Sequence, residues 1–342
     1  MSYPTNRPLP PVTDEEIGYE PKPDAAAREI PWIDPHQHTQ TLTWQQQENV
    51  DIAGARAVVM IAASYFQAPY CPIPSDNWRL LWDEAIRMSN IVSRNQFYDV
   101  HLAVGLHMGT KIENSDELLD VLPAYCDLEE TVAVGETGID PVQRGGEAAR
   151  WSLPEQRDVV RRQMEIANEY DLPVIIHTPA NASGGEGGSV SSQMDAAMQY
   201  KFGRGIPYSE PLFDTSEAKR RAVEIDIELA HEAGLPEERV VLDHADESIV
   251  EYVMRNTDCY LSFSLSHGVV GPTDIAAAID EYGAERLLVD SDLASSIYTD
   301  GDAFLIRRLI LDLLRLGISP NDVRQVVYEN PASVFDLACG VS

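Results

Sequence analysis

Lysine is nearly absent from this chain of 342 residues. Only Lys22, Lys111, Lys201 and Lys219 occur, and arginine supplies the other basic charges. Together the two basic types number 25 against 56 acidic residues, for a formal net charge of −31. No basic nucleic-acid patch is visible in such a chain. The composition suits a halophilic, acidic protein. Self-repulsion would loosen its compact state in dilute buffer, whereas molar salt screens charges beyond about 3 Å. Cysteine is also scarce: Cys71, Cys126, Cys259 and Cys339 lie far apart with no C-x-x-C pair. That spacing argues against a disulfide or zinc framework and for reduced residues in a cytoplasmic protein. No apolar run approaches the roughly 18 residues that a membrane span needs. The opening MSYPTNRPLPPVTDEE lacks the basic start and apolar centre of a secretory signal. No membrane partner is expected.

What is present is a regular alternation. Residues 1–29 hold many prolines and acids without apolar periodicity and read as an extended N-terminal arm. Residues 30–342 read as one catalytic-sized domain. Within it, eight apolar runs have the look of buried parallel strands: 32–38, 57–63, 100–107, 131–140, 172–177, 239–244, 259–264 and 286–292. Amphipathic stretches over 77–95, 115–126, 153–171, 216–234, 247–256, 273–283, 303–317 and 321–330 read as helices. Ser75 or Asp76 is the expected cap of the first, Ser115 of the second, and Gly234 closes the fourth. Eight strands alternating with helices predict an α/β fold, a (β/α)8 TIM barrel. A doubly wound sheet would show a Gly-rich turn after its first strand, and none is there.

The runs end in chemistry. His36 and His38 sit two apart, so on a strand both rings face one side and converge on one point. Later runs end in Glu136, His177, His244 and the pair Asp290/Asp292. In a barrel the C-terminal strand ends share one mouth, so these residues make a ligand set large enough for two divalent cations. Glu136 can bridge two cations because a carboxylate has two oxygens. Mixed imidazole and carboxylate ligands suit zinc, manganese or iron, with magnesium also compatible.

The ordered series H-x-H (36–38), G-E-T-G-I-D (135–140), P-V-I-I-H (173–177), D-H (243–244), S-D (291–292) and E-N-P-A-S-V-F (329–335) resembles the TatD-related metal-dependent hydrolases of the amidohydrolase superfamily. The resemblance runs from about residue 31 to 337, and HTP, VVLDHADESI and VVYENP resemble its EboC-like branch more closely. It implies one metal held by His36, His38, Glu136 and the strand-eight aspartate, and another by Glu136, His177 and His244. Aligned with the family, Asp292 becomes the ligand and proton shuttle, and Asp290 a supporting residue beneath. The implied activity is hydrolysis of a phosphoester, including nuclease action. The alternatives are hydrolysis of a C–N or C–O bond in a small metabolite, and a non-catalytic metal-bound assembly component.

Candidate substrate contacts are His107, matching the histidine of the family's G-I-H-P turn, and His267 beyond strand seven. Asp246 and Glu247 follow His244, and as open carboxylates they would repel a phosphodiester chain. Residues 180–216 break the strand–helix spacing with Gly and Ser, then Met194, Met198, Tyr200, Phe202, Tyr208 and Phe213. So many large apolar side chains after His177 point to a lid-like insertion, in which Arg204 and Lys201 would meet an anionic substrate. A homo-oligomer is compatible with all of this.

Overall fold

The computed structural model describes residues 29–63, 72–143, 146–178, 212–214, 217–265, 270–294 and 302–337. The N-terminal arm up to residue 28, Lys201, Arg204, His267 and nearly all of the insertion lie outside the described residues.

Eight parallel strands follow one another around a single sheet in chain order. They are β1 (Trp32–Gln37), β2 (Ala55–Ile61), β3 (Asp99–Val104), β4 (Thr131–Thr137), β5 (Val174–His177), β6 (Val240–Asp243), β7 (Tyr260–Ser264) and β8 (Leu287–Asp290). The sheet closes on itself where Gln37 bridges Leu293 in parallel. His38 N–H donates to Leu293 O at 2.9 Å, and Asp292 N–H to His36 O at 3.0 Å. Buried Asp34 locks the same seam by accepting Ser291 N–H at 3.0 Å and the Ser291 hydroxyl. The result is the (β/α)8 barrel that the alternation predicts.

Strand and wall are both apolar because both faces of a barrel strand are covered. Val58, Val59, Met60 and Ile61 are all fully buried. The outer layer comprises α1 (Trp44–Ile52), α2 (Ser75–Asn95), α3 (Ser115–Cys126), α4 (Leu153–Glu169), α5 (Ala218–Glu232), α6 (Val250–Asn256), α7 (Pro272–Tyr282) and α8 (Leu305–Arg315). From α2, the indoles of Trp78 and Trp82 both donate to Gly105 O, at 2.9 and 3.3 Å. Gly105 itself is required by close approach: a Cβ there would meet the Gly135 backbone at 2.9 Å. Past α8, Pro320–Val334 is helical with a π turn over Gln325–Glu329. Asn330, from the E-N-P run, donates its amide to Ala284 O and Leu287 O at 2.7 Å each and so fixes the entry of β8.

Three local features differ from the sequence expectation. Helix α1 lies in a stretch with too few apolar residues to declare itself. It is set by a capping box in which Thr43 and Gln46 satisfy each other's backbone N–H groups. Helix α2 begins at Ser75 with Pro74 in the cap position, and α3 begins at Ser115 with Asn114 as cap at φ 53°. Asparagine tolerates that left-handed conformation, so it displaces serine by one position. No helix among the described residues is long and apolar enough to cross a membrane.

Candidate metal centre

The strand register sets the depth of the site residues. His177 lies opposite Asp243 between β5 and β6, and Ser264 opposite Asp290 between β7 and β8. His36 and His38 come from the end of β1, Glu136 from β4, His244 from just past β6 and Asp292 from just past β8. His244 and Asp292 both have positive φ, 55° and 41°. L residues seldom adopt that conformation, and where they do the surroundings enforce it.

The six side chains meet at the strand ends. His36 Nε2 lies 3.4 Å from His38 Nε2 and 3.4 Å from Asp292 Oδ1, and His38 Nε2 is 3.3 Å from the same oxygen. Glu136 stands beside this trio and divides its oxygens. Its Oε2 faces His36 Nε2 at 3.9 Å. Its Oε1 faces His244 Nε2 at 3.0 Å and also meets His177 Nδ1. Three groups with atoms close enough to share one ion result: His36, His38 and Asp292; His36, Glu136, Asp243 and His244; and His107, Glu136 and His177.

Charge and tautomer can be read from the partners. Burial alone would raise the Glu136 carboxyl, but His177 and His36 beside it, with hydrogen bonds from His177 and His244, hold it well below the usual carboxylate range. Burial by itself would lower the His36 imidazole. Asp243, Glu136 and Asp292 override it and push His36 well above the ordinary value for histidine. Three carboxylates thus crowd a buried imidazole that must take a proton to balance them. A divalent cation satisfies the same field, and the donor set fits one. Imidazole nitrogens and carboxylate oxygens converge in each of the three groups.

Asp243 is a site residue that the sequence reading did not single out. Its carboxylate meets His36 Nδ1, and a carboxylate only accepts, so Nδ1 carries a proton and Nε2 is the ring nitrogen that a cation would take in place of the second proton. Asp243 Oδ1 also accepts His244 N–H at 2.7 Å and the Ser264 hydroxyl at 3.2 Å. Ser264 Oγ in turn lies 2.6 Å from His244 Nδ1. Beneath them Asp290 is fully buried, takes the Ser262 hydroxyl at 2.5 Å and shares a hydrogen bond with Asp243. Burial and the neighbouring Asp243 charge push the Asp290 carboxyl well above its usual range, so it is the protonated member. Asp292, by contrast, keeps 14% of its side chain open to solvent.

The β4 turn carrying Glu136 is clamped from outside the barrel. Gln163 donates to Thr137 Oγ1 at 2.7 Å, Ile139 N–H reaches Asp226 Oδ1 at 2.9 Å, and Asp140 N–H reaches Gln156 Oε1 at 2.8 Å. His107 lies against His177 with ring centroids 4.4 Å apart. Its Nδ1 accepts Gly109 N–H at 2.7 Å, which leaves the ring proton on Nε2. Asp246 is not the open carboxylate expected from its place after His244. It is buried and paired with Lys219 at 2.8 Å. Of the insertion, Leu212 N–H donates to Pro141 O at 2.9 Å on the β4 exit loop, and Phe213 packs on the core.

A family model described as TatD related DNase matches residues 33–201 of the chain. An uncharacterized metal-dependent hydrolase of Methanocaldococcus jannaschii is 21% identical over 305 residues, which cover 89% of this chain and 100% of that protein. A TatD-like protein from Archaeoglobus fulgidus has a crystal structure similar to this fold at TM-score 0.60 and 18% identity, covering 90% of this chain and 100% of that one. A phosphotriesterase homology protein from Escherichia coli, complexed with phosphate in its active site, gives TM-score 0.54 at 15% identity, covering 90% of this chain and 99% of that one. At such identities the structural likeness speaks to the fold alone.

Proposed function

The chain belongs to the TatD-related metal-dependent hydrolases, and on that premise we propose that it uses two divalent cations to hydrolyse a phosphoester. The observation that carries the reading is the division of Glu136. One oxygen faces His36, with His38 and Asp292 close by, and the other faces His177 and His244. His36, His38, Asp292 and Glu136 would hold one ion; Glu136, His177 and His244 would hold the other. Zinc, manganese, iron or magnesium are the candidate ions. Two bound cations acidify a water and neutralise charge on the oxygens of the reacting group.

The chain's own residues supply the remaining work. Glu136 stays ionised at neutral pH and can offer one oxygen to each side. Asp243 holds the proton on His36 Nδ1, so that Nε2 remains a donor of electrons, as an outer carboxylate does for a ligating histidine. Asp292, the carboxylate of the cluster that solvent reaches, accepts the proton of the attacking water. His107 presents an Nε2–H beside His177 and is suited to donate to a substrate oxygen. Residues 180–216 would close over this mouth, with Arg204 and Lys201 facing an anionic substrate and His267 near its edge.

The pairing of Asp246 with Lys219 removes one of the acidic charges that would have disfavoured a phosphate, and this supports the phosphoester reading over cleavage of a C–N or C–O bond. Buried, unpaired Cys126 and Cys259 agree with a reducing, cytoplasmic setting. The test is turnover by metal-reconstituted protein of chromogenic phosphomono- and phosphodiesters against a panel of lactones and cyclic amides. Turnover confined to the second panel would replace the phosphoester reading by the metabolite one.

A further inference from the structure

Histidines aside, Lys219 is the one basic side chain that is buried among the described residues, at 1% exposure. It lies in the first turn of α5, in a chain with four lysines. Its Nζ donates to the main-chain carbonyl of His244 at 2.5 Å and to Asp246 Oδ2 at 2.8 Å. Asp246 Oδ1 is occupied by Ser248, through its N–H at 2.9 Å and its hydroxyl. Burying an ammonium is costly unless it is fully partnered. An ion pair is a weak reason to retain one, since apolar replacements of a buried pair are often as stable or more so. The other partner, the His244 carbonyl, supplies the stronger reason.

His244 is held at every polar atom. Its N–H is taken by Asp243, its Nδ1 by Ser264 and its carbonyl by Lys219, while Nε2 faces Glu136. Its φ of 55° interrupts the strand geometry just where the ring must turn toward the mouth. Residues with a Cβ adopt that conformation infrequently, and here contacts from other elements hold it. Asp243 and Ser264 belong to the barrel wall beside it. Lys219 reaches in from the outer helix and is the only one of the three to grip the carbonyl side of the turn.

We propose that Lys219 is a positioning residue for His244, its ammonium fixing the left-handed turn that aims Nε2 at Glu136 and at the cation shared with His177. The inference rests on the two-cation reading given above. On this reading Asp246 neutralises the buried ammonium and does not face substrate.

The test is metal binding to the full-length, metal-stripped protein, followed by the Co2+ absorption spectrum and by Zn2+ competition. Lys219→Met leaves Asp246 unpaired and can unfold the chain, so Lys219→Met/Asp246→Leu is the informative variant: it removes both charges and keeps the volume apolar. With a normal unfolding midpoint, that variant should bind one Co2+ as the parent does and the other roughly 10–100-fold more weakly, the size of a lost outer-layer contact. Its Co2+ bands should also shift, a change that general loosening of the fold would not produce. Asp246→Asn keeps an amide oxygen to accept from Lys219 and, with a normal unfolding midpoint, should bind within a few-fold of the parent. Parent-like affinity and spectrum in the folded double variant would overturn the proposal while leaving the metal site intact. Failure of the parent to bind metal, or parent-like binding by His244→Ala, would overturn the two-cation reading and the inference with it.

Discussion

Replacing each of the two strand-eight aspartates by asparagine should cost turnover very unequally, although they lie two residues apart. Asp292 has Oδ1 within 3.4 Å of His36 Nε2 and 3.3 Å of His38 Nε2 and keeps part of its side chain open to solvent. Asp292→Asn would retain the size of the side chain but lose both the proposed anionic ligand and the proposed proton acceptor. A lost general base typically costs about 10²–10⁴ in turnover, or roughly 2.7–5.5 kcal/mol of barrier. Asp290 is fully buried and protonated, accepting from Ser262 and hydrogen-bonded to Asp243. An asparagine amide reproduces both relations, since its oxygen can accept from Ser262 and its NH2 can donate to Asp243. Asp290→Asn should therefore lie at the mild end of the roughly 10–100-fold loss seen for outer-layer changes. Asp290→Leu should be worse, because Ser262 and Asp243 would each lose a buried partner, at about 1–3 kcal/mol apiece. The assay is steady-state turnover with metal content measured on the same samples. An inactive Asp290→Asn alongside a normal Asp292→Asn would show that the reactive carboxylate sits two residues earlier than argued.

Three further outcomes are expected. With a net charge of −31, unfolding midpoints should rise steeply from dilute buffer to molar KCl, as the screening length falls from about 30 Å at roughly 10 mM to about 3 Å. Equal midpoints in calorimetry would dispose of the halophilic reading. Replacing residues 180–216 by a short Gly/Ser link should leave the barrel folded and impair turnover, and unchanged kinetics would make that segment a passive connection. Buried Asp226 has its carboxyl pushed well above the usual range by burial, against the Ile139 N–H and nearby Arg157. Its unfolded pKa, about 3.9, is lower, so the unfolded state releases this proton first and the group costs stability as pH rises between the two values. Asp226→Asn keeps an acceptor for Ile139, so it should gain on the parent by up to about 1.4 kcal/mol per pH unit in that window. Parallel stability–pH curves in urea unfolding would refute it.

The barrel was legible because its strands carry their own signal. β2 is buried on both faces, so its run of Val58, Val59, Met60 and Ile61 declares a strand without knowledge of its neighbours. Helix α1 was not legible, since WQQQENVDI has little apolar face and its start depends on a side-chain exchange between Thr43 and Gln46. In the site, the residues read from sequence were those at the ends of apolar runs, where a histidine or carboxylate stands out. Asp243 did not stand out, and the reason is geometric. Adjacent strand residues face opposite sides, so reading His244 as facing the mouth turns Asp243 away from it. The positive φ of His244 breaks that alternation and lets both neighbours serve one cluster, His244 through Nε2 and Asp243 through His36.

Asp246 misled for a related reason. A carboxylate two positions past a mouth histidine looks open until its partner is known, and that partner, Lys219, lies 27 positions away on α5. Alternation and periodicity report the neighbours a residue has along its own element. They are silent about a contact that an outer helix makes through the gap between two strand ends. In this barrel the groups proposed to touch metal arise mostly from the first kind of information. Those that orient them, Asp243, Ser264 and Lys219, arise from the second. A substitution scan guided by sequence pattern alone would therefore recover the proposed ligands and pass over the residues proposed to aim them. Comparing Lys219→Met/Asp246→Leu with Asp246→Asn in metal binding is the experiment in which that difference becomes measurable.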